Sequence, residues 1–385
     1  MGFNSTVVSQ ILKLVPRHEF ERLANGHDGA RRSDALSRWS QFVALSVGQL
    51  GSRESLRDIE ATLRSQSRHR YHLGSQSVSR SSLSRANDRL SSAFYESLFR
   101  ALHRRCQGHV PGHRFRFKGK VLSLDGTLID LSMKVFPWAD YNRRKAALKL
   151  HVGLDHDGLI PAFASLTGGS DSEMAAVEGW ALPPGSVLVF DRGYNNYSWH
   201  KALTDKGFVW VTRMRRKARY RVVERRAVAR RSPITSDQLI EYTGKKARHE
   251  PLHRIRRIGY RDPVSKKHYV FITNQLHWSP QTIADLYQQR WQIELFFKWL
   301  KHNLKIRTFL GNSENAVKTQ IFVALCLYLV LAFLKFRSGL HQSLQQILRL
   351  LQLNLFIRQP LVALFTAPPD KPPPDDQLRL ALVRH

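Results

Sequence analysis

The 385-residue chain has only two cysteines, Cys106 and Cys326. So few, so far apart, exclude a disulfide framework or a zinc module, and the 17 histidines lack cysteine partners at ligand spacing. Long apolar runs are also missing. The longest, residues 321–334, falls short of the roughly 20 residues a membrane span needs, so a buried core helix is expected there and no membrane partner. The opening residues Met1-Gly-Phe-Asn-Ser-Thr show no basic stretch followed by an apolar one and a small-residue cleavage site, which leads to the expectation of a reducing, cytoplasmic compartment. No internal repeat is visible. Acidic residues are scarce, 30 against 61 Lys and Arg, and the formal net charge of +31 points to a polyanionic partner rather than a small-molecule substrate.

The charge is clustered. Residues 213–231 hold ten basic side chains in nineteen positions, beginning with Arg213, Arg215, Arg216, Lys217, Arg219 and Arg221, and read as a phosphate-contacting surface. A hydrophobic content of 42% is ample for a folded core, so the run is not a disordered basic tail.

Residues 1 to about 110 read as helical, with an apolar pattern through Trp39, Phe42, Val43, Leu45 and Val47 and a second helix signal from Ser52 to Asp58. Ser79 offers a cap for a short helix with exposed Ser, Arg and Asn, which suits either a recognition helix in a major groove or a solvated face. From Lys118 the pattern changes. Strands are expected at 121–125, 148–154 and 159–166, the turn Asp155-His-Asp-Gly158 marking a hairpin between the last two. A short helix near 174–180 precedes Val187-Leu-Val-Phe190, an apolar run suited to a strand buried on both faces. A helix over 197–206 and a strand over 208–212 come next. This order, ending in a helix over 287–301, is that of a ribonuclease H-like sheet. Residues 213–280, with strand candidates at 254–260 and 268–273, read as a basic β-rich insertion. The expected division is a helical DNA-binding region (1–112), the first part of the core (113–212), the insertion (213–280), the rest of the core with the Glu294 helix (281–340), and a C-terminal helix with a Pro-rich tail (341–385).

On a single helix from Tyr287 to Lys301, Arg290, Glu294 and Lys301 fall within roughly 60° of Tyr287, with Ile293, Phe296, Phe297 and Leu300 on the adjoining arc. A carboxylate between cations can serve a divalent metal or simply make helix ion pairs. Asp125, late in the first strand, and Asp191, closing the buried strand, would meet at one end of the sheet because those two strands are neighbours in this order. Three converging carboxylates repel one another unless cations join them, and two Mg²⁺ ions would answer that. Taken singly, Asp125 could close a turn, Asp191 could pair with Arg192, and Glu294 could pair along its helix. Asp130, Asp155, Asp157 and Asp171 read as turn or surface acids, with Asp130 or Asp171 as possible support for the site.

Tyr-x2-Arg-x3-Glu-x6-Lys at Tyr287, Arg290, Glu294 and Lys301, with Asp125-Gly126-Thr127 and Asp191-Arg-Gly-Tyr194, resembles the DDE transposases of bacterial insertion sequences, in insertion-sequence family four. The resemblance implies cut-and-paste transposition: Asp125, Asp191 and Glu294 hold two Mg²⁺ ions, with Mn²⁺ as a substitute, that activate water for nicking and then the freed 3′-hydroxyl for joining. It implies phosphate positioning by Tyr287, Arg290 and Lys301, to which Lys298 and Arg192 are added as neighbours. Partners would be terminal inverted repeats and target DNA, held by a homodimer associated with the nucleoid. Second-strand cleavage through a hairpin would stack a flipped base on an aromatic ring. Trp278 and Trp291 are candidates, with core packing the competing expectation for both. A ribonuclease H-like nuclease without strand transfer and a catalytically silent DNA-binding regulator are the alternative functions.

Overall fold

The computed structural model describes residues 5–28, 36–142, 145–169, 173–243, 254–304, 306 and 308–366. Asp171 and the Pro-rich tail lie outside the described residues. Seven helices come first: α1 (Val7–Leu12), α2 (Arg17–Asp28), α3 (Arg38–Leu50), α4 (Leu56–Ser65), α5 (Arg70–Leu73), α6 (Arg80–Arg89) and α7 (Ala93–Gln107). Their starts obey local chemistry. Ser55 and Asp58 make a reciprocal capping box at α4, and Ser79 and Ser82 make one at α6. Trp39, Phe42, Val43, Leu45 and Val47 of α3 are all buried.

A mixed α/β region comes next, built on one ten-stranded sheet. Its strands are β1 (Val121–Leu131), β2 (Asp140–Asn142), β3 (Lys145–Asp155), β4 (Ile160–Gly168), β5 (Val187–Phe190), β6 (Val209–Arg213), β7 (Tyr220–Arg226), β8 (Ile234–Tyr242), β9 (Ile255–Arg261) and β10 (His268–Thr273). Between β4 and β6 lie α8 (Glu173–Glu178) and α9 (Tyr197–Asp205). The order runs β2-β3-β1-β5-β6-β10-β9-β8-β7, with β4 paired to β3. The β1–β3 and β3–β4 pairs are antiparallel, whereas β1–β5 and β5–β6 are parallel, so β1 and β5 are neighbours as expected. Strands β10, β9, β8 and β7 extend the same sheet antiparallel beyond β6 instead of forming a separate one. The sequence pattern contains no signal for β2, β7 or β8: β2 has three residues, and β7 is an edge strand whose Arg221 and Arg225 are exposed.

The parallel strands are apolar because both faces are covered. Val121, Val187, Val189 and Val211 pack with Ile283, Ala284 and Leu286 on one face. Leu122, Leu124, Leu188, Phe190 and Trp210 pack with Trp199 and Leu203 of α9 on the other. A third cluster joins α1–α4, α6 and α7 to β3 and β4 and to the helices that end the chain, so the helical N-terminal region shares a core with the α/β region.

The final helices are α10 (Pro280–Gln289), α11 (Trp291–Asn303), α12 (Glu314–Arg337) and α13 (Leu344–Asn354). Helix α12 is long and apolar enough to cross a membrane, but it is buried on every side, which fits the core-helix expectation for 321–334. Both cysteines are buried where α7 meets it: Cys106 Sγ donates to the Leu329 carbonyl (3.3 Å) and Cys326 Sγ to that of Tyr95 (3.6 Å).

The expected single helix over 287–301 is instead two. They meet at Arg290, whose N–H bonds to the Tyr287 carbonyl and whose carbonyl accepts from Ile293 N–H, both at 3.1 Å with the tight i to i−3 spacing of a 3₁₀ turn. The halves serve different cores. Ile283, Ala284 and Leu286 of α10 cover the β1–β5–β6 face, whereas Ile293, Phe296, Phe297 and Leu300 of α11 enter the large cluster around α12. One straight stripe cannot face both.

Candidate active site

Strand register brings the acids together. Leu124 pairs with Phe190 and Val189 with Val211, so Asp125, Asp191 and Arg213 succeed one another across β1, β5 and β6. Side chains alternate along extended backbone, and Asp191 remains extended (φ −84°, ψ −173°). Asp125, Asp191 and Arg213 therefore continue the Val121, Val189 and Val211 face, the one α10 covers up to Arg290. Asp125 lies mid-strand rather than late in it, because β1 continues to Leu131 with β3 as its partner. Its flank opens where β5 ends.

Asp125 closes no turn: one carboxylate oxygen accepts the Gly126 N–H (2.8 Å) and the other lies 3.3 Å from an Arg290 nitrogen. The other terminal nitrogen of Arg290 donates to Glu294 Oε1 at 2.5 Å. One guanidinium thus joins Asp125 to Glu294. Burial opposes its charge, but Tyr287, Glu294 and Asp125 outweigh that and raise its pKa. Asp191 accepts the Gly193 N–H (2.7 Å), capping the short 3₁₀ turn Arg192–Tyr194, and its carbonyl accepts the Thr212 hydroxyl (3.1 Å).

Lys301 donates to Thr127 Oγ1 (2.6 Å) and the Leu128 carbonyl (2.8 Å), fixing α11 to β1. Lys298 is exposed. These two lysines, with Asp125, Gly126, Thr127, Glu294, Phe297 and His302, line a cleft of about 350 Å³. No sequence motif pointed to His302 or Phe297. At Gly126 an added Cβ would lie 3.0 Å from Lys149 Cε and 3.2 Å from His151 Nδ1, a tight fit that those side chains would have to relieve by a few tenths of an ångström.

On the Asp191 side, Arg192 is held below its ordinary pKa by burial and by repulsion from Arg213 and Arg216. An anion would relieve that crowding. Arg213 also lies over the Tyr269 ring, 4.7 Å from its centroid. Tyr287 is raised by burial, with Arg290 and Arg213 pulling the other way and Asp191 adding to the rise. Arg213, Tyr260, Tyr269, Phe271, Tyr287 and Trp291 contribute to a second pocket of about 220 Å³, whose aromatic character was not evident from the scattered tyrosines.

Trp291 is 56% exposed, contrary to the core-packing expectation, because it begins α11 on the side away from the core. Trp278 does pack, stacked on Phe117 with centroids 4.1 Å apart. Of the basic run, Arg215, Arg216, Lys217, Arg219 and Arg221 are exposed, and Arg221 is also paired to Glu241 (2.6 Å). The other acids stand elsewhere. Asp130 is exposed further along β1, and Asp155 and Asp157 are bound to Lys120 at 2.8 and 2.5 Å.

As a metal site, this donor set is all carboxylate oxygen and partly exposed, as hard divalent cations require, and Arg290 already stands between Asp125 and Glu294 as a cation shared by both. Among the described residues no three acidic, histidine or cysteine side chains are grouped closely enough to hold an ion. In ligand chemistry the carboxylate oxygens fit a hard divalent cation.

Asp125 and Asp191 on neighbouring strands, with Glu294 on a helix that follows them in the chain, lie in the order Asp, Asp, Glu within the segment that a known family matches. Residues 116–330 match the family model "Transposase DDE domain", and the chain belongs to that family. Residues 3–76 match a domain of unknown function. A protein of Sinorhizobium fredii named as the transposase y4zB is 31% identical over 256 residues, 65% of this chain and 70% of that protein. One of Geobacillus stearothermophilus, named as a transposase for insertion sequence element IS5377, is 31% identical over 57% of this chain and 58% of its own length. One of Synechocystis, named for element IS4SA, is 26% identical over 44% and 55%. The structure of a piggyBac transposase synaptic complex with hairpin DNA is similar at a TM-score of 0.44 and 10% identity, over 98% of this chain and 85% of that one. The chain is a transposase of the insertion-sequence type, acting in DNA transposition.

Proposed function

We propose that this transposase moves its element by cut-and-paste transfer on a ribonuclease H-like core, with Asp125, Asp191 and Glu294 as the ligands of two Mg²⁺ ions. The observation that carries the reading is the adjacency of Asp125 and Asp191 on one sheet face, with Glu294 tied to Asp125 through Arg290. Bound there, the two cations, which Mn²⁺ can replace, would stabilise both the attacking and the leaving oxygen of an in-line phosphoryl displacement. In nicking, a water oxygen bonds to phosphorus, the phosphorus–O3′ bond breaks, and a free 3′-hydroxyl is left. In joining, that hydroxyl attacks a target phosphate in the same way.

The chain's own groups position the DNA. Arg192, Arg213 and Arg216 crowd beside Asp191 and take a phosphate between them. Lys298 and Lys301 line the cleft of Asp125 and Glu294 and hold the strand on that side. Arg215, Lys217 and Arg219 extend the phosphate surface, and the region of α1–α7 adds a second DNA contact. The exposed Trp291, beside a pocket walled by Tyr260, Tyr269 and Tyr287, suits a base flipped out during a hairpin step. Two copies holding paired ends complete the reaction in the cytoplasm, at the nucleoid.

The test is cleavage and joining of DNA carrying the element's own ends with Mg²⁺ or Mn²⁺, comparing wild type with Asp191→Ala. Joined products that disappear in the variant are expected. Nicking without joining would make the protein a nuclease, and binding without either would make it a regulator.

A further inference from the structure

We infer that Arg290 is a latch on this site: in the DNA-free protein it occupies the space between Asp125 and Glu294, and a DNA phosphate that draws it away opens both carboxylates to a divalent cation. The inference rests on the proposed role of those two acids as metal ligands.

Three observations carry it. The guanidinium, 13% exposed, reaches Asp125 at 3.3 Å and Glu294 at 2.5 Å, so oxygen lone pairs that a metal ion needs are already engaged. No three-ligand group exists among the described residues, so the acids are not yet gathered around an ion. Arg290 also sits at the junction of α10 and α11, where the hydrogen bonds have already tightened to i−3, so its side chain can swing without unwinding either helix.

The neighbouring cations do not duplicate the role. Lys301 is held by Thr127 and Leu128, and Arg213 lies over Tyr269. A guanidinium accepts a phosphate with the same forked geometry it uses for a carboxylate, so DNA is a natural competitor for it. By linkage, whatever DNA adds to metal affinity the metal adds to DNA affinity. The protein searching for its ends would then carry no loaded cleavage centre.

The experiment is Mn²⁺ binding to the full chain without DNA, monitored by electron paramagnetic resonance, in wild type, Arg290→Gln, Arg290→Lys, and each combined with Glu294→Gln. Arg290→Gln should tighten binding within the range of coupled sites, about 5- to 150-fold. Arg290→Lys, a point charge that cannot fork across both acids, should fall between, and it decides the matter if the glutamine variant fails to fold. The gain should vanish when Glu294→Gln is added. Equal affinity in wild type and the Arg290 variants, still lost with Glu294→Gln, overturns the latch and leaves the ligand reading standing. Binding indifferent to Glu294→Gln in every protein overturns both.

Discussion

The acid-bearing junction of β1 and β5 and the arginine-bearing edge formed by β7 belong to one sheet but achieve position by opposite means. Asp125 and Asp191 are fixed by parallel register between strands buried on both faces, so each has one place to be. Arg215, Arg216, Lys217 and Arg219 lie exposed ahead of an edge strand and compensate in number for what they lack in order. A reacting centre requires fixed geometry, whereas a polyelectrolyte surface requires only charge density. Substitutions at the first end should be all-or-none and at the second graded.

The largest break should come from Glu294→Gln. Nicking and joining are expected to fall by about a thousandfold or more, several kcal/mol of lost stabilisation, while gel-shift affinity for duplex DNA stays within about threefold. Next is a buried pair on the extension strands: Asp237 and Arg256, 5% and 3% exposed, are bonded at 2.6 Å. Arg256 also donates to the Trp278 carbonyl at the entry to α10. Asp237→Ala should cost about 3–5 kcal/mol by leaving that guanidinium buried without its carboxylate, read as a lower denaturant midpoint. A loss below about 1 kcal/mol would mean that the extension contributes little to the sheet.

Reversing Arg215 and Arg219 to Glu should weaken DNA binding about tenfold at low salt and flatten the salt slope by about 0.9 for each phosphate no longer neutralised. Arg221→Glu should do less, because Arg221 is already engaged by Glu241. Equal slopes for all three would mean that the Glu241 pair does not set Arg221 apart from the arginines ahead of β7.

Apart from these substitutions stands a pH dependence carried by three buried histidines. Burial lowers His103 and His156 to about 4 and His200 to about 3, each from 6.5. A depressed histidine favours the folded state above the unfolded pKa. That contribution fades as pH falls from about 6.5 toward 4, and the melting temperature should drop by about 5 °C or more over that interval in calorimetry. His200→Phe, which preserves the ring stacked on Trp210 at 4.3 Å, should reduce the drop.

The acids of the candidate site were legible because each sits where a local pattern changes: Asp191 ends an unbroken apolar run, and Glu294 recurs with Arg290 at helical spacing. The break at Arg290 was not, because the apolar positions on either side fit a 3.6-residue period, and only the two separate cores require the turn. Strand β7 was hidden because an edge strand buries no continuous face and its arginines read simply as charge. The pocket of Tyr260, Tyr269 and Tyr287 draws on two strands and a helix, and no spacing along the chain anticipates that. In the N-terminal region the Ser79 cap announced α6 directly, since capping is a contact between residues three apart.

Helix α12 has a consequence for how the protein comes into being. It is made after residue 313, yet Asn315 at its start accepts from Ser92 N–H and donates to the carbonyls of Asn87 and Leu90, more than 220 residues earlier in the chain. The N-terminal helices therefore emerge from the ribosome with apolar faces that only a late segment covers, a contact order that slows folding and calls for chaperone protection. A chain truncated before α12 is expected to lose the shared core of its N-terminal helices, which limited proteolysis would detect. Loss of the last fifth of the chain should thus destabilise its beginning as well as its end.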